Sequence, residues 1–372
     1  MASRSKTIHI LGLGNLGQLT AHCLAASKST SITLLLHRSE QVESWKKAGQ
    51  CIKVVTNGLA NIQGNFQYEK TFDSKNEQAG QIYNLIVATK TYATTEALRP
   101  LRNRLNGDSS ILFLQNGMGM VDEVTRSLFA TPSERPHYYT GIVTHGVYNT
   151  DAFSIVHAGQ GSIRVGAIRP SDELYAFTAR TTCAASSDYL LHCLCNAPGL
   201  SASEESEERI LYIQLLKLAI NAVINPLTTI FDCLNGQLFK NPRRLALSRL
   251  LLSEILPVIS NILASSSTRQ AGSEAIPNFS LTALEQVILD TTNQTAQNIS
   301  SMRQDMLNGR RTEIDYINGY IVAQGVKIGM DCDNNQTIVQ LIVDKRKIVD
   351  AEIPEVFPNI DRPSYQMDGL LG

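Results

Sequence analysis

The sequence predicts an α/β domain followed by an all-α domain, and three observations predict it. The chain opens on a short apolar strand, a glycine turn and a helix-compatible run. Its first half then alternates short apolar runs with polar or helical stretches, the texture of a mostly parallel sheet. From residue 201 onward strand signals thin out and the apolar spacing becomes helical. At 372 residues the chain exceeds one typical core, so two domains are expected, 1–203 and 204–372.

The first element is carried by "HILGLGNLGQL", residues 9–19. Ile8, Ile10 and Leu11 lead into Gly12, Gly14 and Gly17, the G-x-G-x-x-G spacing, and "QLTAHCLAAS" continues as a helix. Strand, glycines, then helix is the context in which that spacing binds a dinucleotide. Gly12 allows the tight turn, Gly14 lets the backbone approach a pyrophosphate, and Gly17 lets the helix pack on the strand. With Leu13, Asn15 and Leu16 between them, they present the unpaired N–H groups of a helix start to the phosphates. The second strand, "SITLLLHR" at 31–38, ends in His37-Arg38-Ser39, with no carboxylate before Glu40. An NAD-preferring site carries Asp or Glu there, bonded to the ribose hydroxyls. Arg38 instead suits a 2′-phosphate, because its planar fork matches phosphate oxygens, so NADP(H) is expected over NAD(H).

"IKVV" at 52–55 and "NFQYEKTF" at 65–72 read as strands of an excursion. "YNLIVATK" at 83–90 and "SSILFLQNG" at 109–117 are nearly continuous apolar strands, as expected when both faces are buried. Between them "TTEALRPLRNRL" reads as a helix that Pro100 kinks. Lys90 and Asn116 end the two strands, and ligands of open α/β sheets bind at such carboxyl ends. "YYTGIVTHGVY" and "FSIVHAGQGSIRVGAI" follow as strands with turn glycines, an antiparallel extension of the sheet.

The second domain is expected to start with a helix at "SASEESEERI", 201–210. In "LYIQLLKLAINAVINPLTTIFDCLNGQL", 211–238, Lys217, Asn221 and Asn225 fall at i, i+4 and i+8, one stripe of a helix. The residues between them are apolar, so the helix should be buried, and buried polar groups need partners. The stripe therefore reads as a polar strip facing a ligand cleft. Pro226 should kink or end the helix. In "QNISSMRQDMLNGRRTEIDYINGYIV", 297–322, Asn298, Ser301 and Asp305 fall at i, i+3 and i+7 on one face, and Asn308-Gly309 can stop that helix. Thr312 reads as the next N-cap with Asp315 in the capping-box slot, and Glu313, by itself, as a helix-start acid. "SSSTRQAGSEAIPN", 265–278, reads as a loop, and the tail after Ile353 as surface chain or a frayed end.

Composition excludes other classes. Hydrophobic content of 43% with 18% charged residues describes a soluble globular protein, and a net charge of −1 offers no electrostatic footprint for nucleic acid. No apolar run reaches the roughly 18 residues that suggest a membrane span. The first strand begins almost at residue 1, so no secretory leader is expected. Seven cysteines, an odd number with no C-x-x-C pair, predict neither zinc, another metal nor a disulfide framework, and point to a reducing compartment, the cytoplasm.

"GLGNLGQL", "TK" after a buried strand, "QNGMG", "TH" at 144–145, "KLAINAVINPLT", "NG" at 235–236, "NISSM" and "RTEIDYINGY" follow one another along the chain. Together they resemble the ketopantoate reductase (2-dehydropantoate 2-reductase) family, from the glycine turn to about residue 330. The resemblance implies a Rossmann-type dinucleotide-binding domain joined to a helical substrate domain. It implies NADPH-dependent reduction of ketopantoate to pantoate, a step toward pantothenate and coenzyme A. Lys217 would be the general acid, and Glu313 would support it and touch the cofactor ribose. Asn116, Asn221, Asn225, Asn235, Asn298 and Ser301 would serve the substrate pocket. Gly12, Leu13, Gly14, Asn15, Leu16, Gly17, Arg38 and Lys90 would hold the dinucleotide, with Asn116 and Glu313. The implied partner is a small 2-keto acid, with no nucleic acid or membrane, and the assemblies it leaves open include a homodimer. Reduction of another branched 2-keto acid remains open, as does a non-catalytic NADPH-binding regulator, although a binding module needs neither Lys217 nor Glu313. Asn15 departs from the small residue often found inside the turn, and the segments at 60–80 and 170–200 exceed a compact family member.

Overall fold

Ile8, Ile10 and Leu11 are fully buried in β1 (Thr7–Leu11), because parallel strands cover both its edges and a helix packs against it. The computed structural model describes residues 6–27, 30–71, 80–171, 189–266 and 276–360. The chain divides into two compact units, Met1–Ile213 and Gln214–Gly372.

In the first unit β2 (Ser31–Leu36) and β6 (Asn84–Val87) flank β1 in parallel. Beyond β2 lies β5 (Gln67–Lys70); beyond β6 lie β7 (Ser110–Phe113), β8 (His137–Val143), β11 (Ile163–Ala167) and β12 (Ala202–Glu204). The eight-stranded sheet is parallel except at the β8–β11 pair. A second sheet holds β3 (Ile52–Thr56), β4 (Leu59–Gln63), β9 (Gly146–Asp151) and β10 (Ser154–Gly159), in the order β4-β3-β10-β9. The helices are α1 (Asn15–Ala26), α2 (Ser39–Lys47), α3 (Thr94–Leu98), α4 (Met120–Leu128) and α5 (Tyr189–Cys195). Trp45 of α2 is fully buried and meets Phe66 and Phe153 edge-on, with ring centroids 5.9 and 4.8 Å away.

Several expectations change here. The two excursion strands do not stay together: "IKVV" joins the small sheet and "NFQYEKTF" supplies the edge of the large one. "YYTGIVTHGVY" and "FSIVHAGQGSIRVGAI" each break and contribute one strand to each sheet. The break fits the close approach of the two turns, where a Cβ on Gly161 would lie 2.5 Å from the Thr144 carbonyl carbon. Asn57-Gly58, both at positive φ, turns β3 into β4, a hairpin signal the sequence reading passes over. "TTEALRPLRNRL" is not one kinked helix: α3 ends at Leu98 and a 3₁₀ stretch, Arg99–Arg104, starts around Pro100. "SASEESEERI" opens with a strand, β12 beside β11, and its helix starts only at Glu207. The Ser-Glu signal loses to an open sheet edge, whose unpaired backbone groups β12 satisfies.

From Glu207 on, every described element is helical: α6 (Glu207–Ile230), α7 (Pro242–Ser266), α8 (Leu281–Gln294), α9 (Ser301–Leu307), α10 (Asn318–Lys327), α11 (Asp333–Val343) and α12 (Ile353–Val356), with short 3₁₀ turns between. The expected loop at 265–278 overlaps the end of α7, and 267–275 lie outside the described residues. Of the two long segments, 72–79 and 172–188 also lie outside them. Ile353 is fully buried and starts α12, with Phe357 buried after it, while 361–372, the rest of the tail expected as surface chain or a frayed end, lie outside the described residues. Polar residues interrupt both long helices, yet by length and composition alone α6 and α7 could cross a bilayer, with a mean hydropathy of 1.5 over an 18-residue stretch. Leu215, Leu218, Ala219, Ala222 and Val223 of α6 and Leu247, Leu251, Leu252 and Ile255 of α7 are instead buried inside the protein. The six described cysteines are free, and no metal-ligand cluster occurs among the described residues.

Candidate active site

The glycine turn has the geometry its spacing requires. Gly12 sits at φ +93°, and a Cβ there would lie 2.5 Å from the Thr89 nitrogen. A Cβ on Gly17 would lie 1.9 Å from the Gly12 oxygen, so only glycine lets α1 start this close to β1. Around Gly14 nothing lies within 4 Å of the added carbon, and no side chain caps α1. Its N-terminal N–H groups are thus available to an anion. Gln18 Nε2 donates to the Leu13 oxygen at 2.9 Å and holds the turn from inside. Leu13 is buried and Leu16 half-buried, so they shape the turn through packing. Asn15, the departure inside the turn, donates from Nδ2 to the Val147 oxygen of β9 at 3.0 Å.

Arg38 follows β2 in extended backbone, starts α2 and is exposed. His37 beside it is held below the ordinary imidazole range by burial and then by the Arg38 charge. Lys90 and Asn116 follow the adjacent strands β6 and β7. Thr91 Oγ1 donates to the Asn116 oxygen at 2.8 Å, and Gln115 Nε2 donates to Thr94 Oγ1 at 2.8 Å and Thr89 Oγ1 at 3.2 Å. These bonds stitch the Lys90 and Asn116 loops together at the same end of the sheet as the glycine turn. Thr91 and Gln115 were not singled out from the sequence; two polar residues flanking the strand-end Lys and Asn are the only signal they leave.

In the second unit Lys217, Asn221 and Asn225 share α6. Lys217 and Asn221 are half-buried and Asn225 is buried. Burial pushes the Lys217 ammonium down to about 8, and the Glu313 carboxylate opposes that fall. Glu313 is buried and stands before a 3₁₀ turn, Ile314–Tyr316, which it starts with no side-chain cap. Thr312 therefore is not the expected N-cap, and Asp315 pairs with Arg311 at 2.8 Å rather than closing a capping box. The 3₁₀ turn intervenes between Glu313 and α10, so no capping-box geometry exists there.

α6 does not end at Pro226 but runs on to Ile230. Pro226 cannot donate to the carbonyl of Ala222, and Asn318 Nδ2 supplies that hydrogen bond instead at 2.9 Å. The threonine hydroxyls beyond the proline bond back into the helix: Thr228 to Ile224 O at 2.7 Å and Thr229 to Asn225 O at 2.7 Å.

Asn298 does not share a helix face with Ser301 and Asp305, because α9 starts at Ser301 and Ser300 caps it. Asn298 and Ser301 are exposed. Ser300 is buried and its hydroxyl lies 2.7 Å from Thr228 Oγ1, tying this helix start to α6. Asn235 is buried, donates from Nδ2 to Thr295 Oγ1 at 2.9 Å, and its N–H bonds the Asn298 oxygen at 3.2 Å. The fold thus brings Lys217 to Glu313 and Asn235 to Asn298. Cap residues such as Ser300 escape a search for periodicity, since they lie just outside the period.

Comparison with known proteins accords with this arrangement. The family described as "Ketopantoate reductase PanE/ApbA" matches residues 8–170, and "Ketopantoate reductase PanE/ApbA C terminal" matches residues 209–346. A probable 2-dehydropantoate 2-reductase of Schizosaccharomyces pombe is 31% identical, over 91% of this chain and 95% of its own. The 2-dehydropantoate 2-reductase of Saccharomyces cerevisiae is 30% identical, over 91% of this chain and 94% of its own. A ternary structure of D-mandelate dehydrogenase with NADH and anilino(oxo)acetate superposes with a TM-score of 0.71 at 20% identity, over 91% of this chain and 98% of that one.

Proposed function

Because the chain belongs to the ketopantoate reductase family, we propose that it reduces 2-dehydropantoate to pantoate with NADPH. The observation that carries this reading is the Lys217–Asn221–Asn225 stripe, whose lysine ionises under the influence of Glu313. Residues 1–203 serve the cofactor and 204–372 the substrate in this proposal. The open backbone at Gly14 and the uncapped start of α1 suit a pyrophosphate. The exposed Arg38, with no carboxylate before Glu40, favours a 2′-phosphate. Lys90 and Asn116, at the ends of adjacent strands, add cofactor contacts within the first unit.

When bound, the reduced nicotinamide supplies the hydride that the ketone carbon accepts. The protein's residues handle the oxygen. Negative charge grows there, and the Lys217 ammonium beside it stabilises that charge and gives it a proton. Solvent restores the proton to the Lys217 amine afterwards. Glu313 favours the charged lysine against burial. The amides of Asn221, Asn225 and Asn235, with Asn298 and Ser301, bind the substrate carboxylate and hydroxyl without adding net charge. The odd number and scattered spacing of the seven cysteines favour a reducing compartment, the cytoplasm, in this reading. A turnover assay with NADPH and a panel of 2-keto acids tests the reading. Preference for 2-dehydropantoate supports it; preference for another branched keto acid replaces the substrate; no turnover with any of them removes the enzyme.

A further inference from the structure

Pro226 leaves an orphan in the middle of the candidate site. Without its N–H, the carbonyl of Ala222 has no helical partner, and Ala222 is fully buried. A buried carbonyl left unpaired loses its hydration with nothing in exchange and destabilises the fold. Asn318 fills the place: its side chain, also fully buried, donates to the Ala222 oxygen at 2.9 Å. Its second Nδ2 hydrogen goes to Asn335 Oδ1 at 3.0 Å. Asn335 Nδ2 donates in turn to Glu254 Oε2 at 2.7 Å and Leu251 O at 3.3 Å. The Glu254 carboxylate also accepts the backbone N–H groups of Asn334 and Asn335 at 3.0 and 2.9 Å, at the start of α11. The Asn318 amide is thus held from behind by a buried network.

Its position in the chain gives that bond a consequence. Ala222 follows Asn221 directly and lies five residues after Lys217; Asn318 lies five residues after Glu313. One amide therefore joins the helix carrying Lys217 to the segment carrying Glu313. We propose that Asn318 is a positioning residue: by bonding the carbonyl that Pro226 frees, it sets the alignment of Lys217, Asn221 and Glu313. This rests on the reductase reading of the site.

The test is a double-mutant cycle of Asn318→Leu and Pro226→Ala. Alanine at 226 restores the N–H that bonds the Ala222 carbonyl, so it makes the Asn318 donor redundant. Asn318→Leu by itself should lower kcat by about 10–100-fold, the scale of a misplaced catalytic group. The alkaline limb of its kcat–pH profile should move to lower pH, as the Glu313 charge no longer faces Lys217. In the Pro226→Ala background the same change should lower kcat less and leave the limb where it is. Equal losses in both backgrounds, or a fall in Tm with an unmoved limb, overturn the proposal. If Asn318→Leu does not fold, Asn318→Ser, too short to reach the carbonyl, takes its place in the cycle. A second readout follows Lys217 without turnover: the pH dependence of its acylation by an amine-reactive reagent, read by mass spectrometry. If wild type reduces no 2-keto acid but Asn318→Leu moves that labelling curve, the reductase reading falls and the positioning role stands. If wild type turns over and neither curve moves, the positioning role falls.

Discussion

Lys217 is the residue on which the chemistry turns, and its ionisation gives a test with a definite sign. A general acid must be protonated, and burial brings its amine down to about 8. The kcat–pH profile should therefore fall on the alkaline side near that value. Glu313 favours the charged form, so in Glu313→Gln the limb should move to lower pH. Lys217→Ala should lose roughly 10²–10⁴-fold in kcat with NADPH affinity retained. Near-normal turnover in that variant would return the site to the regulator reading. Arg38 carries a separate expectation. It is exposed at the end of β2, and no carboxylate partner occurs among the described residues. Arg38→Ala should weaken NADPH binding by about 1–3 kcal/mol, as for a charged hydrogen bond, and leave NADH nearly unchanged. Titration with both cofactors decides it, and an equal loss would deny Arg38 the 2′-phosphate.

The helices of the second unit are joined by a few buried polar side chains, and Glu254 is the most connected of them. It projects from α7, is buried, and receives the backbone N–H groups that open α11 together with the Asn334 and Asn335 amides. A carboxylate at a helix start also meets the positive end of the helix dipole. Glu254→Ala should therefore destabilise the protein by about 3 kcal/mol or more, since it leaves buried donors without an acceptor. Urea unfolding of wild type and variant measures this. A loss below about 1 kcal/mol would mean that water or a neighbour replaces the carboxylate. The same logic explains why α6 survives its proline: the helix continues because a distant amide supplies what the ring removes.

For the whole molecule, buried titratable groups make stability depend on pH in two windows. Burial lowers the ionisation of His22 and His157 below 6.5, and the His145 charge adds to the effect at His157. A histidine whose folded value is depressed binds its proton more tightly when unfolded. Its stabilisation is present above 6.5 and is lost as pH falls through the folded value. Glu69 acts lower. The adjacent His9, then the Arg104 guanidinium that bonds it at 2.7 Å, against the effect of burial, bring it from 4.5 down to about 2, so its contribution disappears between those values. Tm should accordingly begin to fall as pH drops below 6.5 and fall again below 4.5. A Tm unchanged between those two onsets would show that the buried histidines accept protons without loss, contrary to their surroundings.

Local order along the chain was enough to determine some of this. The glycine turn is defined within six residues, Gly12 to Gly17, so its spacing already contains its geometry. The Lys217–Asn221–Asn225 stripe follows from helical period alone, and the apolar runs of β6 and β7 declare strands covered on both faces. Only the tertiary structure decided the rest. Which sheet a strand joins depends on edges left open by strands far away, so β8 and β9, continuous in sequence, part company. Whether Pro226 ends a helix depends on a donor 92 residues later, and whether Glu313 is a plain helix-start acid or a partner for Lys217 depends on where that same segment is anchored. Periodicity records the face a residue occupies. It holds no record of which distant group will meet an orphaned carbonyl or a buried charge, because that is fixed only when the chain packs.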